Sequence, residues 1–163
     1  MTGLNVVLYQ PKIPQNTGNI ARTCAAVGAK LHLIRPLGFS VRDRHLKRAG
    51  LDYWHLVKIA YHDTMEDFLS ANQEANLNFI TKKASKPYDK IDFSGDVYLI
   101  FGKETTGLPQ ELLKSHREKC FRIPMKAGAR SLNLSNAVAI VLYEACRQKG
   151  FLRLQLDGSE EFE

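Results

Sequence analysis

Short apolar runs alternate along the chain with stretches of helical spacing. Leu4–Tyr9 (LNVVLY) predicts a buried strand, and residues 16–27 predict a helix behind Pro14, capped by Asn16 or Thr17 and stopped by Gly28. Residues 30–35 (KLHLIR) alternate like a strand and halt at Pro36. A short basic helix is expected over 41–49, a weak strand over 57–61, a helix over 65–72 and a strand over 77–81. Val97–Phe101 (VYLIF) is strongly apolar; a helix over 109–115 and a strand over 120–123 follow. The longest helix is expected over 133–149, closed by Gly150. Strands alternating with helices predict an α/β fold, a mainly parallel sheet with helices on both faces. No repeat, low-complexity segment or linker interrupts the pattern, so residues 1–150 read as one domain and 151–163 as a loose, polar, acidic tail.

The last helix departs from ordinary amphipathicity. Leu134, Val138, Val141, Leu142 and Ala145 form a core-facing stripe, yet Ala137, Ala139, Ile140 and Tyr143 occupy much of the remaining circumference. Such a helix needs cover on two sides. A second subunit is one cover, and central burial within the monomer is the other.

Charge adds a partner class. The net charge is +6, but residues 157–163 hold Asp157, Glu160, Glu161 and Glu163 with no Lys or Arg. The remaining chain sets 23 basic against 13 acidic residues, a balance of +10 that suits a polyanion. Cys24, Cys120 and Cys146 are odd in number and far apart, as expected of reduced, buried thiols. His32, His45, His55, His62 and His116 show no metal-ligand spacing, so no metal is expected. No run approaches the ~20 apolar residues that span a bilayer. The first residues lack a basic segment leading into an apolar one, and a cytoplasmic protein without membrane contact is expected.

Three segments after strands carry polar or glycine residues beyond what the fold requires. The first runs from Pro14 to Arg22, where Asn19 and Arg22 share a helix face near its electropositive start. The second is Gly102-Lys103-Glu104-Thr105-Thr106-Gly107, which lacks both the phosphate-loop and the dinucleotide patterns but allows close backbone approach at Gly102. The third packs Ser131, Asn133, Ser135 and Asn136 into the mouth of a greasy helix. One such residue caps a helix; four call for a ligand or water.

In this order the three segments resemble the three motifs of the SPOUT superfamily of RNA methyltransferases, over residues 4–150. The third motif, Ile123-Pro124-Met125 through Ser131-Leu-Asn-Leu-Ser-Asn136, is the most specific. Val7-Leu8-Tyr9-Gln10-Pro11, Asn16-Thr-Gly-Asn-Ile-Ala-Arg22 and Arg48-Ala-Gly-Leu-Asp-Tyr53 resemble the small TrmL-like tRNA 2′-O-methyltransferases, which modify the wobble ribose. The resemblance implies a C-terminal trefoil knot, a homodimer, and S-adenosylmethionine held near Ile80, Thr81, Gly102, Ile123, Ser131 and Leu132. It implies that Arg22, Asn16, Glu104 and Asn133 serve catalysis, with tRNA, through its anticodon stem-loop, as substrate.

A sulfonium methyl needs little activation, so the implied task is to align a ribose 2′-OH and favour its alkoxide. Arg22, always protonated, suits orientation and charge stabilisation better than proton abstraction. Arg42, Arg44, Lys47, Arg48, Lys82, Lys83 and Lys86 are candidate phosphate contacts. Two alternatives stay open: methylation of another tRNA or rRNA nucleotide, and a non-catalytic RNA-binding module of the same fold.

Overall fold

The computed structural model describes residues 3–40, 54–152 and 154–158. Along the chain come β1 (Leu4–Tyr9), α1 (Pro14–Val27), β2 (Lys30–Ile34), β3 (Ile59–His62), α2 (Met65–Ala71) and β4 (Asn76–Ile80). There follow β5 (Lys86–Pro87), β6 (Val97–Phe101), α3 (Gln110–Ser115), β7 (Cys120–Arg122) and α4 (Leu134–Gln148). The expected basic helix over 41–49, with Arg42, Arg44, Lys47 and Arg48, lies outside the described residues.

Among the described residues seven strands join one sheet in the order β3-β2-β1-β6-β4-β7-β5, and the pairings between these strands are parallel. A parallel sheet is covered on both faces, which is why its central strands read as unbroken apolar runs. Val6, Leu8, Leu31, Leu33, Leu99 and Phe101 face one core, shared with Ile20 of α1 and Val141 of α4. Their neighbours in sequence, Val7, Ile34 and Ile100, face a second core with Phe68 of α2 and Leu113 of α3. Val6, Val7 and Leu8 are all 0% exposed, each contributing roughly 1.5–3 kcal/mol by burial.

Local departures from the sequence reading have physical causes. α1 begins two residues early because Pro14, lacking an N–H and fixed in φ, suits the first helical turn. Asn16 and Thr17 therefore lie inside the helix, buried, and the capping position falls to Ile13, whose side chain makes no cap bond. β3 starts at Ile59 rather than 57, and β5 is a two-residue strand with no apolar signature. At α4 the stripe holds: Val138, Val141, Leu142 and Ala145 are 0% exposed, while Ile140 and Tyr143 on another side are exposed.

Asn5 and His32 are buried beside the second core, and the half-buried His62 joins them. Asn5 donates its amide to the Val97 carbonyl at 3.2 Å, which leaves its Oδ1 to accept from His32 Nε2 at 3.2 Å. With the His32 proton on Nε2, its Nδ1 accepts from His62 Nε2 at 2.9 Å. Phe68 stands edge-on to each ring. Burial pushes the His32 imidazole down to about 3, with Lys30 and His62 adding to the shift. The unfolded chain takes up that proton near the ordinary value of about 6.5, so this contribution to stability is complete above it and declines as pH falls toward about 3. Urea unfolding between pH 7.5 and 4 should show a steeper loss in the parent than in His32→Gln, by up to ~1.4 kcal/mol per pH unit. Equal slopes in the two proteins would contradict the assignment.

Candidate active site

β1 is flanked by β2, which follows it, and by β6, which returns from the far side of the chain. Connections leave this point in opposite directions, and open α/β sheets keep their ligand crevice there, beyond the carboxyl ends of the strands. A cavity of about 440 Å³ lies at that end. Its walls come from Ile13 and Asn16 at the mouth of α1, Ile80 and Thr81 at the end of β4, and Gly102 to Leu108 after β6. Ile123 and Met125 after β7, and Ser131 to Leu134 at the mouth of α4, complete them.

The loop after β6 is folded tightly against itself. Lys103 N–H donates to the Gly107 carbonyl at 3.2 Å, and Gly107 N–H donates back at 2.9 Å. A Cβ on Gly102 would sit 2.1 Å from the Gly107 carbonyl carbon and 2.3 Å from Leu108 N, so only glycine fits. The tight loop holds Glu104 at the start of α1. There the carboxylate accepts the Lys12 N–H at 2.9 Å, the Ile13 N–H at 3.0 Å and the Asn16 side-chain amide at 3.2 Å. A helix that lacks its own capping side chain receives an anion from a loop some ninety residues away, where orphan N–H groups and the helix dipole both favour it.

The chain of hydrogen bonds continues into α4. With its amide spent on Glu104, Asn16 presents Oδ1 to Asn133 Nδ2 at 3.0 Å. Asn133 in turn caps α4: its Oδ1 accepts from Ser135 N–H at 2.9 Å, Ser135 Oγ at 2.6 Å and Asn136 N–H at 3.4 Å. Each donor and acceptor assignment forces the next, so the order Glu104, Asn16, Asn133, Ser135 has one direction. Part of the polar surplus at the mouth of α4 is thereby satisfied within the protein. Ser131, by contrast, is exposed and faces the cavity.

Among the candidate residues, Asn16, Glu104 and Asn133 meet in this chain, and Ile80, Thr81, Gly102, Ile123, Ser131 and Leu132 all line the cavity. Arg22 stands two turns along α1, exposed and outside the cavity lining. Lys82 and Lys83 lie at the rim, and Lys82 Nζ donates to the Arg130 carbonyl at 3.1 Å, tying the third loop to the end of β4. Lys86 is paired with Glu118 at 2.7 Å and does not line the cavity. Sequence reasoning missed Ile13 and Lys103. Nothing marks Ile13 beyond its place before Pro14, and Lys103 was read only as part of a glycine-flanked loop, though its ammonium lies 5.2 Å from the Tyr9 ring centroid. Lys82, Lys83 and Lys103 around the one carboxylate of Glu104 make the rim electropositive. Among the described residues no group of three or more His, Cys, Asp or Glu is placed to hold a metal ion.

Comparison with known proteins follows the same segments. Residues 3–143 match the model of the SpoU rRNA Methylase family. A Geobacillus stearothermophilus protein provisionally named a tRNA (cytidine(34)-2′-O)-methyltransferase is 55% identical over 151 residues, 91% of this chain and 96% of that one. The tRNA (cytidine(34)-2′-O)-methyltransferase of Escherichia coli (strain K12) is 46% identical over 149 residues, 91% and 95% of the two chains. A solved structure concerned with 2-OH methylation of C/U34 on tRNA superposes with a TM-score of 0.86 at 46% identity, over 92% of this chain and 98% of that one. An AdoMet-bound rRNA methyltransferase from Sinorhizobium meliloti superposes with a TM-score of 0.81 at 31% identity, over 90% of this chain and 56% of that longer one.

Proposed function

The chain belongs to the SpoU rRNA methylase family, and from that premise we propose that it methylates the ribose 2′-OH of the wobble nucleotide, cytidine or uridine 34, of tRNA, with S-adenosylmethionine as donor. Family membership implies the α/β-knot fold for the parallel sheet described above. The observation that carries the reading is the cavity at the switch point, where the three motif segments meet around the Glu104–Asn16–Asn133 hydrogen bonds. We read residues 1–150 as one catalytic domain and 151–163 as an appended tail.

The cavity fits the donor chemically. Its volume lies within the ~300–1,000 Å³ of small-molecule sites. Ile80, Ile123 and Leu132 offer apolar wall to an adenosine, Gly102 permits backbone approach, and the lysine rim suits a carboxylate. Bound there, S-adenosylmethionine supplies a methyl group already activated by its sulfonium. The protein's work is then alignment. Glu104 and Asn133 act as positioning residues: they fix the start of α1 against the cavity, and α1 carries Arg22. Arg22 orients the 2′-hydroxyl and stabilises the negative charge that develops on its oxygen as the proton departs to solvent; the new C–O bond then consumes that charge as the C–S bond breaks, and a guanidinium is too weak a base to take the proton itself.

The exposed Ile140 and Tyr143 on α4, opposite the buried stripe, support a homodimer built on this helix. Among the described residues no helix is long and apolar enough to cross a membrane. A cytoplasmic location agrees with three free cysteines, Cys24, Cys120 and Cys146, all buried.

Labelled donor incubated with unmodified tRNA should place the methyl on the ribose of nucleotide 34, mapped by nuclease digestion and mass spectrometry. A methyl on any other nucleotide would overturn the substrate assignment. In the same assay Arg22→Ala should lower turnover by about 100-fold or more while donor affinity stays within about twofold; loss of donor binding would move Arg22 into the donor pocket. For assembly, Tyr143→Glu should convert a sedimenting dimer into monomer, whereas an unchanged dimer would place the interface elsewhere.

A further inference from the structure

Ile13 is apolar, 42% exposed, and belongs to neither core cluster. A lone exposed isoleucine on a convex surface needs no explanation. Ile13 is different because it forms part of the cavity wall, as does Leu132, which is itself 39% exposed. Folding gains little from a side chain left in this position, yet the backbone beneath it is held firmly. Its N–H donates to Glu104 Oε1 at 3.0 Å, and its carbonyl accepts from Thr17 N–H at 3.3 Å. The carboxylate that positions Asn16 therefore also positions this exposed side chain.

We propose that Ile13 is a substrate-contacting residue, whose side chain packs against the acceptor nucleoside when its ribose enters the cavity. The proposal rests on the methyltransferase reading and assigns a residue to its RNA side. Two features separate that side from the donor side. The candidate donor contacts, Ile80, Gly102, Ile123 and Ser131, come from the end of β4 and the loops after β6 and β7, whereas Ile13 comes from the loop after β1. That loop leads directly into α1, the helix that carries Arg22. A branched aliphatic group cannot hydrogen-bond, so its contribution is to present a fixed surface to the C–H face of the sugar or base and to exclude water beside the reacting hydroxyl. Both favour the bound nucleoside equally before and during methyl transfer, and so act on KM rather than on kcat.

Ile13→Ala tests this in the full chain, since the backbone N–H to Glu104 is kept and no core contact is removed. With tRNA and with its anticodon stem-loop as acceptors, KM for RNA should rise roughly tenfold. Donor Kd, measured by calorimetry, and kcat should remain within about twofold. Ile13→Leu, which restores apolar bulk, should recover most of the RNA affinity. The proposal is overturned if the alanine variant keeps the parent's RNA KM, if donor Kd rises instead, or if sedimentation shows that the variant has changed its oligomeric state. An inactive parent protein would overturn the methyltransferase reading and this inference together; an active parent with an indifferent alanine variant overturns this inference alone.

Discussion

The Glu104 carboxylate, where it meets the start of α1, is the interaction on which the rest of the site depends. Three donors converge on it: two backbone N–H groups, of Lys12 and Ile13, and the side-chain amide of Asn16. Bonds to an ionised acceptor are roughly twice as strong as neutral ones, and this acceptor also sits at the positive end of a helix dipole. Removing it would leave α1 with no side-chain cap, because Ile13 cannot supply one. The same anion fixes the rotation of the Asn16 amide, and that rotation decides which atom faces Asn133.

From this point the geometry propagates in two directions. Toward β6, the carboxylate is held by a loop so tight that Gly102 admits no Cβ, which turns a glycine into a structural requirement of the cavity floor. Toward α4, Asn16 engages Asn133, and Asn133 caps that helix with a bifurcated acceptance from Ser135 and Asn136. Segments following three different strands thus become one rigid unit at the carboxyl edge of the sheet. The parallel topology is what permits this, since it delivers all of these strand ends to the same edge. The cavity, the arginine-bearing helix α1 and the helix α4 share that unit as a common support.

Much of this was legible in the sequence, and the gaps have physical explanations. Runs such as LNVVLY and VYLIF announce strands buried on both faces, and β1 and β6 begin and end where those runs do. The stripe on α4 predicts its buried side correctly. The start of α1 differs from the sequence expectation because local rules have a helix carry its own cap, and here the cap arrives from Glu104, distant in sequence. β5 escaped notice because two residues, one of them proline, carry no periodicity. Family resemblance points to Asn16, Glu104 and Asn133, but their mutual hydrogen bonds depend on side-chain amide orientations that no spacing encodes. Ile13 gave no signal, since an isoleucine before a proline is unremarkable until a cavity wall forms around it.

If the three segments form one unit, Asn16 and Asn133 must be energetically coupled. A double-mutant cycle with Asn16→Ala, Asn133→Ala and the double variant, followed by urea unfolding, measures that coupling directly. The account predicts an interaction energy of about 0.5–3 kcal/mol, because either substitution alone breaks the bond that the other shares. Additive effects, within ~0.3–0.5 kcal/mol of the sum of the single changes, would show that the segments are held independently and would contradict it.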